Sequence, residues 1–425
     1  MRMNLTLLLL SLALGCTGKP GDETGDTDSS PAGAAPGEAL RGSTDREMAP
    51  ATSDLSTLYT ENADFSFDLL RTVQAAAPGN QVLSPWSLQV VMAQVRAGAS
   101  GDARTAIDST FRWTLADDAL NASFDAADLA ITAHNVEGET PVVITSTNQI
   151  FVTTGYPLGA AWLDTLSTWY GTGVQQMDFE ADPAGVAADI NTWIADRTGD
   201  RIKDLVSAGV VADSRMLLVN ALYFKASWAI PFSESSTADQ PFTIGDGTEV
   251  SVPTMSGSVT VSGAQADGYF IADIPYSDAG LTMTIVLPEA GRFDEVLAGL
   301  DSTTLQAAIT SEAWCEECAV QFPKFELKGA PDITSALIAL GMDPAFGGAY
   351  PGISDALTLT AVEQKGFVAV NEKGTEAAAA TMAEFSDSAS EPPFGPIVVD
   401  RPFIWLVREE PTGAVLFSGI VSDPR

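Results

Sequence analysis

One imidazole, His134, serves the whole 425-residue chain, and that scarcity decides much of the chemistry open to it. Ser-His-Asp hydrolases, Cys-His proteases and His-ligated metal centres all draw on histidine. His134 precedes a Gly/Glu turn without serine and aspartate company, so it reads as a surface or helix-end residue rather than a catalytic base. No Gly-x-Ser-x-Gly elbow marks a hydrolase nucleophile either. Cys315-Glu316-Glu317-Cys318 is a lone CxxC with neither a second ligand pair nor a thioredoxin-like setting, which is weak evidence for metal or redox chemistry. In an exported protein, two cysteines three apart in a turn ahead of the strand at Ala319 come within bridging distance, and a local structural disulfide is expected. The acidic stretch from Asp22 to Asp28 lacks EF-hand spacing and the terminal glutamate, so a solvated linker is expected there. No cofactor and no metal site is expected.

The segment with functional spacing runs from Asn371 to Glu391. Connections above about 15 residues are rare inside a compact domain and usually functional. Thr375 could N-cap a Glu/Ala-rich helix, and propensity alone favours that. The alternation also suits a strand: Thr375, Ala377, Ala379, Thr381, Ala383 and Phe385 share one face, with Glu376, Met382, Glu384 and Ser386 on the other. Proline is absent from Gly374 to Glu391, so nothing bars the segment from the middle of a sheet.

Strands must flank such a segment, and the second half of the chain supplies them. Strand-like runs cover 142–151, 216–225, 282–287, 319–327, 361–370, 397–407 and 414–420. Helical signals dominate the first half. Phe65, Phe67, Leu69, Leu70 and Val73 form one apolar face; Ser84-Pro85 caps a second helix carrying Leu88, Val91, Met92 and Val95, which Gly98 stops. Further helices are read over 159–170, 182–197 and 332–340. The pattern is α+β, with a single continuous domain from Leu55 to Arg425 and no internal repeat.

Subtracting 56 acidic from 21 basic residues gives a net charge of −35, a field that repels phosphate backbones and anionic lipid surfaces; nucleic acid is excluded as a partner. Hydrophobic residues at 45% suffice for a core. Arg2 followed by the apolar run from Leu5 to Leu14 reads as a secretory signal over 1–15, too short to span a bilayer. The run ends at Gly15-Cys16, similar to a bacterial lipobox but with Ala13 and Leu14 where Leu and a small residue are preferred. Lipidation of Cys16, giving a membrane tether, stands beside an ordinary cleaved signal with an incidental cysteine. Residues 16–54 are Gly-, Ser-, Pro- and acid-rich and read as a disordered tether. The expected location is exported, either lipid-anchored on the outer cell envelope or extracellular.

Glu372-Lys373-Gly374-Thr375-Glu376 followed by Ala377, Ala378, Ala379, Ala380 and then Thr381 resembles the hinge of an inhibitory serpin. Further motifs fit in the right order. Asn80 to Ser87 is similar to the family's helix-B entry, and Leu218 to Phe232 to its central-sheet strand and turn. Phe322-Pro323-Lys324-Phe325 and Leu340-Gly341-Met342 also match, as does Asp400-Arg401-Pro402-Phe403 near the C-terminus, although Trp405 is unusual there. The resemblance covers about Leu55 to Arg425.

That resemblance implies a serpin fold with an exposed reactive-centre loop at about 371–396. It implies a monomeric suicide inhibitor of serine proteases, in which the cleaved, acylated loop inserts into the main sheet and carries a covalently bound protease with it. A non-inhibitory serpin-fold binding protein is the alternative; such relatives commonly break the hinge pattern, which here is intact. Counting from the hinge places the reactive bond at Ser388 and Ala389, whereas counting back from Arg401-Pro402-Phe403 lands near Glu391. Serine and alanine suit elastase-like or subtilisin-like enzymes, an earlier register at Phe385 or Met382 suits a chymotrypsin-like one, and trypsin-like enzymes find no Lys or Arg after Lys373. The resemblance also assigns Ser84, Ser87, Asn220, Trp228, Lys324 and Gln364 to the region that opens for insertion. Gln364 stands where many serpins have histidine, so a bond between it and Asn220 joins amides and does not titrate near neutral pH. Glu372 and Lys324 are expected close together where the loop begins to enter.

Overall fold

The computed structural model describes residues 35–51, 53–135, 142–277, 280–376, 392–410 and 413–425. Its strands are β1 (Glu38–Leu40), β2 (Gln81–Leu83), β3 (Val143–Thr153), β4 (Val174–Met177), β5 (Met216–Ser227), β6 (Ala238–Thr243), β7 (Glu249–Ala266) and β8 (Tyr269–Pro275). They continue as β9 (Leu281–Pro288), β10 (Ala313–Pro323), β11 (Phe325–Gly329), β12 (Ala361–Asn371), β13 (Gly374–Thr375), β14 (Ile397–Val398), β15 (Phe403–Glu409) and β16 (Val415–Val421). The α-helices are α1 (Leu55–Ala76), α2 (Pro85–Arg96), α3 (Gly101–Thr110), α4 (Asp117–Thr132), α5 (Ala160–Tyr170), α6 (Pro183–Arg197), α7 (Ala208–Asp213), α8 (Phe293–Gly299), α9 (Ser302–Thr310) and α10 (Ile333–Leu337).

The strands form two sheets, a seven-stranded one ordered β1-β4-β3-β5-β13-β12-β11 and a nine-stranded one ordered β14-β10-β7-β8-β9-β15-β16-β2, with β6 added on β7. Helix-rich first half and strand-rich second half agree with the α+β expectation. The main core lies where α1 and α2 pack on the second sheet: Phe65, Phe67, Leu69, Leu70, Leu88, Val91 and Met92 are wholly buried together with Leu406, Val415 and Ile420. The helix-face residues read from sequence are therefore core. A second cluster under α6 joins Ile190, Trp193 and Ile194 to Phe151, Leu217 and Val219 of the seven-stranded sheet.

α2 starts as its sequence dictates, with the Ser84 side chain accepting from the Ser87 N–H and Pro85 in the first turn. This start matters, because it sets two serine side chains beneath the middle of the seven-stranded sheet.

The body begins earlier than Leu55. Reading 16–54 as wholly disordered is corrected for residues 35–51, where Glu38–Leu40 pairs antiparallel with β4 at the sheet edge. The chain then straps across α5 and α4: Gly42 N–H donates to Ser167 Oγ (2.9 Å), Ser43 N–H to Asp164 Oδ1 (2.6 Å), and Arg46 meets Asp125 and Asp128 at 2.7 Å each. Composition hid this because the strap binds through backbone, small polar groups and the Arg46 ion pairs instead of apolar burial. The signal at 1–15 and Cys16 lie outside the described residues.

Candidate functional site

β12 ends at Asn371, the chain turns at Glu372 and Lys373, and Gly374–Thr375 comes back as β13 between β12 and β5. β13 is antiparallel to both neighbours, Thr375 opposing Val370 and Ala226, Gly374 opposing Asn371 and Ser227. Of the two conformations read from sequence, the strand is realised at this end, and the first residues of the loop already lie inside the sheet. Gly374 is required at that point: its φ is +145°, and a Cβ would stand 2.1 Å from the Ala226 carbonyl oxygen.

Thr375 is fully buried, its Oγ1 hydrogen-bonded to the Tyr276 hydroxyl at 2.7 Å. Burial pushes the Tyr276 phenol well above its ordinary range, so it stays neutral. The Tyr276 ring stacks on Trp228 with centroids 4.8 Å apart, and Trp228 Nε1 donates to the Asn371 carbonyl at 2.9 Å. Backbone N–H groups of Trp228 and Phe232 donate to the carbonyls of Lys373 (2.9 Å) and Glu372 (2.8 Å). The turn is thus tied to the chain that follows β5.

Two carboxylates flank β13. Glu372 Oε2 is 2.9 Å from Lys324 Nζ, and Thr237 Oγ1 donates to Glu372 Oε1 at 2.7 Å. Burial pushes the Glu372 carboxyl up, but the bonds from Thr237 and Lys324 outweigh it and hold the group below its ordinary value. On the other side, Glu376 takes φ +53°, and its N–H donates to Ala369 O at 2.9 Å. Its buried carboxylate is 2.9 Å from Arg201 Nε and accepts from the Tyr223 hydroxyl. Arg201 also lies over the Phe367 ring, 5.3 Å from its centroid.

Beyond Glu376, β5 and β12 close on each other. Ala361 to Gly366 pair parallel with Leu217 to Leu222, and any further entry of the loop must part this seam. Gln364 and Asn220 oppose each other in its middle. Gln364 Nε2 donates to Asn220 Oδ1 at 2.7 Å and to Ser84 O at 2.9 Å, while its Oε1 accepts from the Ser84 N–H at 3.1 Å. Asn220 Nδ2 donates to Ser87 Oγ and Asn148 Oδ1. An unbroken side-chain network therefore spans the seam and anchors it to the start of α2.

The structure brings together Ser84, Ser87, Asn220 and Gln364 as one cluster and Trp228, Lys324, Glu372, Gly374, Thr375 and Glu376 as another. The hinge residues Ala377, Ala378, Ala379, Ala380 and Thr381, and the candidate bond at Ser388 and Ala389, lie outside the described residues. Cys315 and Cys318 are bonded, with Cα atoms 5.8 Å apart. They sit within β10 at a register shift against β7 and not in a turn before it, which is a correction; a bulge supplies the reversal of side-chain direction that two buried cysteines three apart need. His134 follows α4 and has Nε2 3.2 Å from Glu409 Oε1, the helix-end placement expected.

Sequence reasoning missed Tyr276, Thr237, Arg201, Tyr223 and Asn148. The Gly374-Thr375-Glu376 run itself held a signal, since a buried threonine and glutamate each need a partner, but nothing local named which residues answer.

The sequence matches the family described as "Serpin (serine protease inhibitor)" over residues 60–424. An uncharacterized serpin-like protein of Thermococcus kodakarensis is 31% identical, the match covering 85% of this chain and 84% of that one. The leukocyte elastase inhibitor of Bos taurus is 29% identical, with 87% and 100% covered. Human thyroxine-binding globulin in complex with thyroxine superposes with a TM-score of 0.76 at 27% identity, covering 88% of this chain and all of that one. The chain belongs to the serpin family and has the serpin fold. Members of that family are mostly protease inhibitors.

Proposed function

We propose that this chain inhibits serine-type endopeptidases as a suicide substrate. The protease serine hydroxyl attacks the scissile carbonyl between Ser386 and Glu391; the peptide C–N bond breaks, the new amine leaves with the segment leading to β14, and an ester links the loop to the enzyme. The freed loop follows β13 between β5 and β12 before water cleaves the ester. The observation that carries this reading is β13 itself, paired on both sides with its glycine and threonine in place. Each further residue adds backbone bonds worth ~0.5–1.5 kcal/mol net, so about a dozen supply on the order of 10 kcal/mol. That is comparable to a whole domain's stability, about 5–15 kcal/mol. Uncleaved, the molecule is held by a kinetic barrier. No cofactor or metal enters the scheme.

Serine and alanine around the bond fit the shallow primary pockets of elastase-like or subtilisin-like enzymes. The similarity to an elastase inhibitor supports the same choice. Export is part of the proposal: the apolar run from Leu5 to Leu14 directs it, Cys16 supplies a lipid anchor, and the Cys315–Cys318 disulfide fits an oxidising compartment. A monomer presents the loop.

Incubation with elastase, subtilisin, chymotrypsin and trypsin tests the function. A covalent adduct stable in SDS is expected with the first two. Nicking of the loop with no adduct would make the chain a binding protein on this fold.

A further inference from the structure

Among the described residues, four large hydrophobic side chains stand exposed, and two of them, Trp314 (61%) and Val398 (37%), share one face of the β10–β14 strand pair. Cys315, Cys318, Val320 and Phe322 point from β10 into the core, so Trp314 and Ala319 alternate outward. Gln321 continues that outer face and opposes Val398. β14 is the strand that the loop enters on its C-terminal side. The stem just before it, Pro393 to Pro396, shares the walls of a cavity of about 620 Å³ with Ser311 and Ala313, the latter next to Trp314. Phe394 packs on Phe270 there, with centroids 5.4 Å apart.

Distance puts this face under whatever holds the loop. Pro393 lies five residue steps beyond Ser388, a reach of at most about 18 Å. A serine protease of about 220 residues has a radius of gyration of about 17 Å, so its body overhangs the start of β10. The support is also rigid, because the bulge is closed by the Cys315–Cys318 bond and Thr260 Oγ1 donates to the Glu316 carbonyl at 3.1 Å. A tryptophan carried on a fixed backbone has only two side-chain torsions to order on binding, and tryptophan is among the residue types most enriched as interface anchors. Glu316 and Glu317 are exposed beside it.

We propose that Trp314, on the disulfide-closed bulge of β10 with Glu316 and Glu317 at its edge, docks the body of the captured serine protease, seating in an apolar recess with a basic rim. The proposal rests on the inhibitory reading and adds a determinant of target choice outside the loop.

The test compares wild type, Trp314→Ala, Trp314→Phe and the double variant Glu316→Lys with Glu317→Lys, using subtilisin and elastase. For the enzyme that docks, Trp314→Ala slows adduct formation at least tenfold, Trp314→Phe recovers part of the rate, and the charge-reversed double variant slows it most at low salt, opposite to the salt trend of wild type. The fraction of encounters ending as adduct stays unchanged, because partitioning follows docking. Equal rates for wild type and Trp314→Ala with both enzymes overturn the proposal. So does a concentration-dependent dimer of wild type that Trp314→Ala abolishes, which assigns the face to a second copy of this chain. Nicking of wild type without adduct would remove the inhibitory reading alone; a tenfold slower nicking of Trp314→Ala would then still support docking, and an equal rate would overturn it.

Discussion

Lys324 Nζ lies 2.9 Å from Glu372 Oε2, so the junction between β10 and β11 is tied to the turn that leads into β13. The lysine side chain is 37% exposed and the glutamate 8%, which limits the attraction to ~0–1 kcal/mol. Placing two cations there reverses its sign. Glu372→Lys is expected to loosen the entry and promote loop insertion between molecules, giving polymers on mild heating, whereas Glu372→Lys with Lys324→Glu restores much of the monomer. Size-exclusion chromatography after incubation reads both; a single variant as monomeric as wild type would uncouple the two residues.

The same carboxylate sets a pH dependence. Its folded-state pKa lies below the ordinary glutamate value. Its stabilising contribution is therefore complete above that ordinary value and is lost as pH falls through the depressed one. Wild type should begin to polymerise on acidification within that acidic window, and Glu372→Gln should show less change across it. Polymerisation of both with identical acid profiles would assign the sensitivity to other groups.

Thr375 has no exposed surface and is hydrogen-bonded to the Tyr276 hydroxyl. Thr375→Arg buries an unpaired charge wherever β13 is formed, and Ala379→Pro removes a ladder donor farther along. Both should turn inhibitor into substrate, with cleavage retained and adduct lost. Unchanged adduct yield in the two variants would contradict insertion along this face.

The seam should respond to Gln364 and Asn220 in a different way. Either residue replaced by alanine leaves buried partners unsatisfied, at about 1–3 kcal/mol, so the melting temperature falls and polymers form sooner. With amides on both sides, wild type should show no titration of the seam between pH 6 and 8, while Gln364→His should introduce one, following the ordinary histidine pKa of about 6.5. Melting curves across that range decide it.

Arg46→Ala probes the N-terminal strap. Asp125, whose side chain has no exposure, loses its charge partner, and breaking such a pair costs about 3 kcal/mol. Calorimetry should show a lower melting temperature, with Asp125→Asn in the same background recovering part of it.

The legible parts of this molecule are those where one residue type does one local job. Ser84-Pro85 announces a helix start, and small residues at every second position announce a strand able to enter a sheet. What stayed hidden depends on distant or backbone partners. Tyr276 is 99 residues from Thr375 in sequence, and Arg201 is 175 from Glu376. β1 is three residues long, Glu-Ala-Leu, too brief for any periodicity to register. Much of β7, from Ser256 to Gly263, is Ser-, Thr- and Gly-rich, composition that reads as loop until β10 and β8 close on it.

Strand direction carries a consequence of its own. While the seam is shut, β5 and β12 run the same way and share one slanted ladder, the slightly weaker kind of pairing. A strand entering in the sense of β13 opposes both neighbours, so one like-sense ladder gives way to two opposite-sense ones. The energy gain thus resides in the connectivity of the sheet and would be available to any extended segment of suitable side chains entering in that sense. On the proposed inhibitory reading, target choice is then free to vary with the residues at the cleavage point, while the driving force for insertion stays the same.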